Sequence, residues 1–202
     1  MSNIINDTLE LGNYYHIYNR GVNSCDIFKE DENYFFFLSK FSNYLLDFVD
    51  VYAYCLMPNH FHILIKVNDS LGFVKVQNFD KALKDKGLHA EDAIVSKQFA
   101  KFFSSYTQAF NKFEDRHGPL LESPFKRKRI KDEEYMKNLI LYIHHNPMDI
   151  HQNFKNYKFS SYKAIISELK TNINKQKVLD LFGGLENFVH EHRYPSKFDF
   201  KF

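Results

Sequence analysis

The segment around Met57-Pro58-Asn59 constrains the fold of this chain more than any other. Residues 51–56 (VYAYCL) and 60–67 (HFHILIKV) are rich in aliphatic and aromatic residues, and the Pro-Asn pair between them is typical of a turn. Two strands joined by such a short connection pair in antiparallel fashion. The sequence therefore predicts a hairpin with His60 and His62 near its tip.

The two histidines lie two residues apart in the second strand of this hairpin. Successive side chains of a strand point to opposite faces, so His60 and His62 share one face while Phe61 points to the other. Imidazoles are common ligands of divalent metals, and two of them leave other positions for a substrate. The same pattern also fits two strand histidines that bind no metal, and the motif alone leaves both interpretations open.

Strand-like and helix-like patterns alternate along the first three quarters of the chain. Residues 14–19 and 125–130 read as two further strands. Apolar residues at helical spacing predict three helices: one beginning near Asp31, one over residues 96–113, and one capped by Asp132 that ends at Asn146-Pro147. The order β-α-β-β-α-β-α predicts an α+β fold, with a four-stranded antiparallel sheet of ferredoxin-like or RNA-recognition-like type and helices on one face.

Length and composition set the domain organisation. A chain of 202 residues is long enough for one domain with a large core, which must be aromatic because there are 22 Phe and 13 Tyr but no Trp. We expect residues 1–150 to form the core domain and residues 151–202 a C-terminal helical tail that packs on it and is a candidate for DNA contact. Short tail helices are expected near residues 162–169 and 185–192. Residues 68–95 show no clear pattern.

Cysteine usage and hydropathy indicate the compartment. Cys25 and Cys55 are isolated and have no metal or redox spacing, which fits reduced thiols in the cytoplasm. No apolar run reaches the length of a membrane span, and the N-terminal residues lack a signal-peptide pattern. We therefore expect a cytoplasmic protein with no membrane partner.

The net charge of +2 does not by itself indicate a nucleic-acid partner, but the distribution of charge does. Five cations occur within six residues, and a core on one face would not tolerate three of them, so this strand is expected to lie at an edge of the sheet or to extend past it. The cluster and Arg20, which follows the first strand, are candidate phosphate contacts; a solvated strand and a turn cap are the alternatives. The cluster consists of Lys126, Arg127, Lys128, Arg129 and Lys131.

Tyr142 and Asn146 are four residues apart, and so they are neighbours on the third predicted helix. Both lie off the centre of its apolar stripe. If this helix packs beside the histidine strand, one site gathers two imidazoles, an amide and a phenol. Asn146 could then join His60 and His62 as a metal ligand, and Tyr142 could attack a phosphorus atom.

Two alternatives remain for these roles. Tyr106 is a rival nucleophile, although it lies within the apolar stripe of the second helix, where core packing is the ordinary role. His144 is a less favoured substitute for Asn146 as a ligand.

Six short segments of the chain carry a family resemblance when they are taken together and in order. They are YHIYNRG (15–21), YCLMPNHFH (54–62), SYTQAFN (105–111), GPL with FK (118–120 and 125–126), YIHHNP (142–147) and FSSY (159–162). With these segments the chain resembles the REP-associated tyrosine transposases, a branch of the HUH single-strand transposases.

The resemblance implies several properties beyond those that the residues themselves indicate. It implies an HUH domain, Mg²⁺ or Mn²⁺ held by His60 and His62, and a tyrosine on a later helix that forms a 5′-phosphotyrosyl link to DNA. It further implies single-stranded DNA with imperfect hairpins as substrate, a monomer or homodimer, and a bacterial cytoplasmic location at the nucleoid.

Three functional hypotheses follow. The first is a metal-dependent transposase or nickase-ligase of single-stranded DNA. The second is a protein that binds DNA hairpins or repeats without cutting them. The third is a metal-dependent hydrolase that uses water in place of the tyrosine.

Overall fold

The computed structural model describes residues 6–70 and 90–194, without the side chains of residues 90–93. Most of the segment for which the sequence gives no pattern therefore lies outside the described residues.

Four strands are described: β1 Tyr14–Arg20, β2 Val49–Met57, β3 His60–Val67 and β4 Lys126–Ile130. They form one antiparallel sheet in the order β2-β3-β1-β4. The second and third strands form the predicted hairpin, in which Met57 pairs with His60. The last strand pairs with the first and lies at an edge of this four-stranded sheet, as expected from its cations, and Asn6 forms an isolated parallel bridge with its Arg127. This strand order is that of the ferredoxin-like fold, and the predicted fold class is confirmed.

Six α-helices are described. The three predicted between and after the strands are present, and Asp132 caps the third by accepting a hydrogen bond of 2.7 Å from the backbone N–H of Tyr135. The chain does not leave the helical path at Asn146-Pro147 but continues as a 3-10 helix over Asn146–Ile150. The helices are α1 Asp31–Leu45, α2 Ala90–Phe113, α3 Glu133–His145, α4 Tyr162–Ile166, α5 Lys175–Phe182 and α6 Leu185–Arg193.

Helices α1 and α2 cover one face of the sheet with an aromatic core. Phe61 of β3 is fully buried there, and its ring centroid lies 5.2 Å from that of Phe37 in α1 and 5.7 Å from that of Phe103 in α2. Ile63 and Ile65, the next residues of β3 on this face, belong to the same cluster. The odd-numbered residues of β3 therefore pack against α1 and α2, the two helices that lie between strands in the sequence, as the sequence predicts.

Helix α3 and the tail helices cover the opposite face, so the expectation of helices on one face holds only for α1 and α2. Leu64 of β3 packs in a second apolar cluster with Leu139 and Ile140 of α3 and Phe188 of α6. Ser161 joins this layer to the sheet, since its Oγ accepts a hydrogen bond of 2.9 Å from the backbone N–H of Tyr54. No helix among residues 6–70 and 90–194 is long and apolar enough to cross a membrane.

Candidate functional site

Three adjacent strands align polar side chains on the face that α3 covers. Tyr18 of β1 pairs with His62 of β3 on one side and with Lys126 of β4 on the other. Arg20, two residues further along β1, pairs with His60. Because residues two apart share a face, these five side chains meet at one end of the sheet.

Helix α3 brings Tyr142 and Asn146 to the same place. The ring centroid of Tyr142 lies 5.3 Å from that of His62, and the two rings are nearly perpendicular at 80°. Oδ1 of Asn146 lies 3.3 Å from Nε2 of His60, and its Nδ2 donates a hydrogen bond of 2.8 Å to the carbonyl oxygen of Tyr142. The structure thus brings together the two histidines, the tyrosine and the asparagine that the sequence singles out.

The two histidines and Tyr142 line an open cavity of about 220 Å³ on the surface of the protein. The cavity has cations at its rim and aromatic rings at its base, a combination that suits a phosphate with an adjoining base. Its lining residues are Tyr18, Asn19, Arg20, His60, His62, Lys126 and Tyr142.

His62 is held by a second histidine. Nδ1 of His62 lies 2.8 Å from Nε2 of His16, and the rings of His16, Tyr18 and His62 stack on one another. In the tautomer whose Nδ1–H donates to His16, Nε2 of His62 carries the lone pair, which is the form in which this nitrogen can bind a metal. A hydrogen bond of this kind on the second ring nitrogen is typical of metal-binding histidines.

His60 has an amide oxygen beside each of its ring nitrogens. Nδ1 lies 2.7 Å from Oδ1 of Asn59, and Nε2 lies 3.3 Å from Oδ1 of Asn146. A neutral imidazole donates through only one nitrogen. If His60 donates to Asn59, the lone pair of Nε2 faces the oxygen of Asn146, and a cation beside these two atoms would satisfy both. The donor set therefore fits a divalent metal.

The candidate ligand set differs from the commonest metal clusters. No group of three or more His, Cys, Asp or Glu side chains that could hold a metal occurs in the described part of the chain. The third ligand would be the neutral amide of Asn146. Imidazole and carbonyl-type oxygen together suit Mn²⁺, and Mg²⁺ when phosphate oxygens complete its shell.

Burial fixes the protonation of these groups. It lowers the pKa of His60 and, more strongly, that of His62, so both imidazoles are neutral near pH 7, the form that binds metals. Burial, helped by the charge of Lys128, also lowers the pKa of His16 to about 3. The half-buried phenol of Tyr142 has its pKa raised to about 12 by burial, so it keeps its proton at neutral pH.

The side chains of the basic cluster on β4 are distributed over both faces of the sheet. Lys126 and Lys128 project on the face of the histidines, where Nζ of Lys126 lies 5.9 Å from the ring centroid of Tyr18 and Nζ of Lys128 lies 4.7 Å from that of Tyr135. Lys126 reaches the cavity, and Lys128 lies one pleat further along the strand.

Arg127 and Arg129 point to the other face and bind the segment that precedes β1. Nε of Arg127 donates to the carbonyl oxygen of Asp7 over 2.6 Å, and Arg129 donates to Glu10 over 2.7 Å and to Asn13 over 2.6 Å. The structure therefore places these two arginines away from the candidate site.

Lys131 lies just beyond β4 and lines a separate cavity of about 450 Å³ with Tyr14, Tyr52 and the start of α3. It too is outside the cavity that contains Tyr142.

The alternative site residues lie elsewhere. Tyr106 is buried in the aromatic core on the opposite face, where its hydroxyl donates a 2.5 Å hydrogen bond to the carbonyl oxygen of Ile27. His144 of α3 is buried against α6. Its Nδ1 lies 2.7 Å from Nε2 of His192, and its Nε2 lies 2.7 Å from Oγ of Ser161. Neither residue lines the cavity.

Sequence reasoning missed His16, Tyr18 and Asn59. The first two alternate with Arg20 along β1, and this alternation places all three on one face. The sequence alone does not give the register of the sheet, and so it does not show that this face of β1 lies beside His60 and His62.

A solved structure shares this architecture. It is the structure of a REP-associated tyrosine transposase bound to a REP hairpin, and the match covers 85% of this chain and 90% of that chain with a TM-score of 0.58. The chain has the fold of a REP-associated tyrosine transposase. The identity is 12%, so the likeness establishes the fold alone, and for the fold it confirms the resemblance carried by the six segments. No family model and no curated protein matches the sequence.

Proposed function

We propose that this chain cleaves and rejoins single-stranded DNA that bears hairpins, and that Tyr142 is the nucleophile. The observation that carries the proposal is the convergence of four side chains at one place: His60, His62 and Tyr142 line the cavity, and Asn146 contacts His60. The ring of Tyr142 lies against His62, and His60 meets Asn146, although the residues of each pair are at least 80 positions apart in the sequence. The fold of a transposase bound to a REP hairpin supports DNA of that kind as the substrate.

The proposed reaction is a transfer of one phosphodiester. Oη of Tyr142 loses its proton and attacks the phosphorus, a bond forms between tyrosine and the 5′ phosphate, and the 3′ oxygen leaves and takes up a proton. Attack by a 3′-hydroxyl on the phosphotyrosyl group reverses the step. Because a phosphodiester is exchanged for another ester, strands can be rejoined without ATP.

His60, His62 and Asn146 are the residues that would hold Mg²⁺ or Mn²⁺. When bound, the ion would polarise the phosphate oxygens and stabilise the leaving oxygen. The raised pKa of Tyr142 makes such help necessary, since its phenol is a poor nucleophile while it keeps its proton.

The cations at the rim would position the strand. Arg20 and Lys126 line the cavity and are placed to meet phosphate oxygens. Lys128 and Lys131 would extend this contact along the same edge. Arg127 and Arg129 are proposed only as supports of the N-terminal segment.

The remaining properties of the proposed enzyme follow from the resemblance. The partner is single-stranded DNA with imperfect hairpins, the enzyme works as a monomer or homodimer, and it acts in the bacterial cytoplasm at the nucleoid. Residues 151–202 are proposed to form a tail on the core of residues 1–150.

The proposal is tested with oligonucleotides that carry the hairpins flanking the gene, mixed with the protein and Mn²⁺ or Mg²⁺. A denaturing gel then detects DNA that remains bound to protein. We expect a covalent adduct with the wild-type protein and with Tyr106→Phe, and none with Tyr142→Phe. The variant should still bind the same oligonucleotide, because the phenol oxygen is not needed for binding.

Other outcomes select the alternatives. Cleavage without any adduct, unchanged in Tyr142→Phe, would indicate a hydrolase that uses water. Tight binding with neither cleavage nor adduct, across all metals and oligonucleotides, would indicate a hairpin-binding protein.

A further inference from the structure

An acidic side chain lies between two cations at the rim of the candidate site. Oε2 of Glu122 is 3.0 Å from Nζ of Lys126, and Oε1 is 3.9 Å from Nε of Arg20. A DNA phosphate that entered the cavity would meet the same two cations with the carboxylate already beside them. Like charges repel, so the carboxylate opposes the binding of that phosphate.

The main chain holds Glu122 in this place. Its N–H donates a 2.9 Å hydrogen bond to the carbonyl oxygen of Arg20, and its own carbonyl oxygen accepts one of 2.9 Å from Nδ2 of Asn19. Both partners belong to the end of β1, which is part of the sheet. The carboxylate therefore stays within reach of the rim unless these bonds break.

The two cations have other contacts that position them. The guanidinium of Arg20 donates a 3.0 Å hydrogen bond to Oγ of Ser24, while its distance to Glu122 exceeds that of a hydrogen bond. The ammonium of Lys126 lies beside the ring of Tyr18. Loss of the charge of Glu122 should therefore leave both cations near the cavity.

Glu122 is also unsuited to serve as a third metal ligand. Within residues 6–70 and 90–194, no three His, Cys, Asp or Glu side chains are grouped so that they could hold a metal, and this includes Glu122 with His60 and His62. The charged side chains with which its carboxylate pairs are Arg20 and Lys126, and we expect its effect on DNA to act through them.

We propose that the carboxylate of Glu122 competes with the DNA phosphate for Arg20 and Lys126 and so limits the affinity of the site for single strands. This inference rests on the proposed function. Binding would require the strand to displace the carboxylate from Lys126, and a strand held by additional contacts elsewhere could offset that cost. Unstructured strands without such contacts would bind weakly.

Fluorescence anisotropy of the full chain tests this inference, with EDTA present to prevent cleavage. One probe is a hairpin oligonucleotide with unpaired flanks from the repeats beside the gene, and the other is a 20-nucleotide oligothymidylate. We expect Glu122→Gln to bind both roughly three- to tenfold more tightly than wild type at low salt. The slope of log affinity against log salt should steepen by about 0.7, as for one more phosphate contact on a single strand.

Glu114→Gln is the matched control. It removes one negative charge from an ion pair with Lys29 at the end of α2, on the other face of the sheet, and affinity should not change. A gain of affinity also cannot come from a misfolded variant, so the sign of the result is informative.

The site of the effect is tested by combining the variants. In a background of Arg20→Gln with Lys126→Gln, the gain from Glu122→Gln should disappear, because the charges it competes for are gone. An equal gain in that background, or an affinity of Glu122→Gln no higher than wild type, overturns the inference while leaving the proposed function intact. Failure of every variant to bind either oligonucleotide would overturn both.

Discussion

The two faces of the sheet differ sharply although they are made from alternate residues of the same strands. On one face of β3, Phe61, Ile63 and Ile65 are buried under α1 and α2 in an aromatic core. On the other face, His60 and His62 line an open cavity beside α3. A pleated strand thus presents apolar anchors and polar reactive groups at positions one residue apart.

This difference between the two faces shows how core residues of a strand can position functional residues that are not themselves part of the core. Phe61 fixes the backbone between the two histidines, so their separation depends on core packing rather than on their own contacts. Substitutions on the aromatic face should therefore lower mainly the free energy of unfolding, and substitutions on the histidine face should lower mainly metal binding, DNA binding and catalysis.

The largest effect on stability is expected from Phe61→Ala. The ring is fully buried between Phe37 and Phe103, and its loss leaves a cavity in the core, so the free energy of unfolding should fall by about 3–5 kcal/mol. Urea denaturation measures the change. His60→Ala, one residue away on the other face, should cost less than about 1 kcal/mol, because the imidazole is only half-buried. Equal losses would show that the histidine face is structural as well.

An intermediate effect is expected from His16→Phe. The substitution keeps an aromatic ring in a buried position but removes the nitrogen that lies 2.8 Å from His62, so the orientation and tautomer of His62 are no longer fixed. Affinity for Mn²⁺, measured by isothermal titration calorimetry, should fall about 10–100-fold.

His190→Phe serves as the control for that change, since His190 is an exposed residue of α6. Its Mn²⁺ affinity should equal that of wild type. Unchanged affinity in His16→Phe would mean that His62 does not depend on His16 for its orientation.

The smallest effects are expected on β4, where Lys128 and Arg129 lie on opposite faces. Lys128→Gln should weaken binding of a single-stranded oligonucleotide about two- to fivefold at low salt, with no change in stability. Arg129→Gln breaks the ion pair with Glu10 and the hydrogen bond to Asn13, so it should lower the free energy of unfolding by about 0.2–1 kcal/mol and leave DNA affinity unchanged. A loss of DNA affinity in Arg129→Gln, or a loss of stability in Lys128→Gln, would contradict the assignment of these two residues to opposite faces with different roles.

Local patterns in the sequence were sufficient to predict most of the fold. The hairpin of β2 and β3 and the Asp132 cap of α3 are confirmed, because turn residues, alternation and capping act over a few residues. Helix α5 was missed. It has eight residues and only Val178 and Phe182 buried, too short an apolar pattern to stand out.

The composition of the site was harder to predict than the fold. Tyr142 and Asn146 were singled out by their helical spacing, and the structure brings them to the histidines, but their roles stay predictions. His16 and Glu122 were missed because their importance depends on which strands are neighbours in the sheet. Arg127 was grouped with Lys126, whereas the structure places the two on opposite faces of β4; the sequence does not show that the chain before β1 returns to pair with Arg127.

Peptide mapping of the covalent adduct tests the central claim most directly. After trypsin digestion, residues 138–155 form one peptide whose single tyrosine is Tyr142, and residues 102–112 form another whose single tyrosine is Tyr106. We expect the mass of the DNA remnant on the peptide of residues 138–155, and we expect its formation to depend on His60 and His62. A remnant on the peptide of residues 102–112 would contradict this expectation, because the nucleophile would then lie on the aromatic face of the sheet.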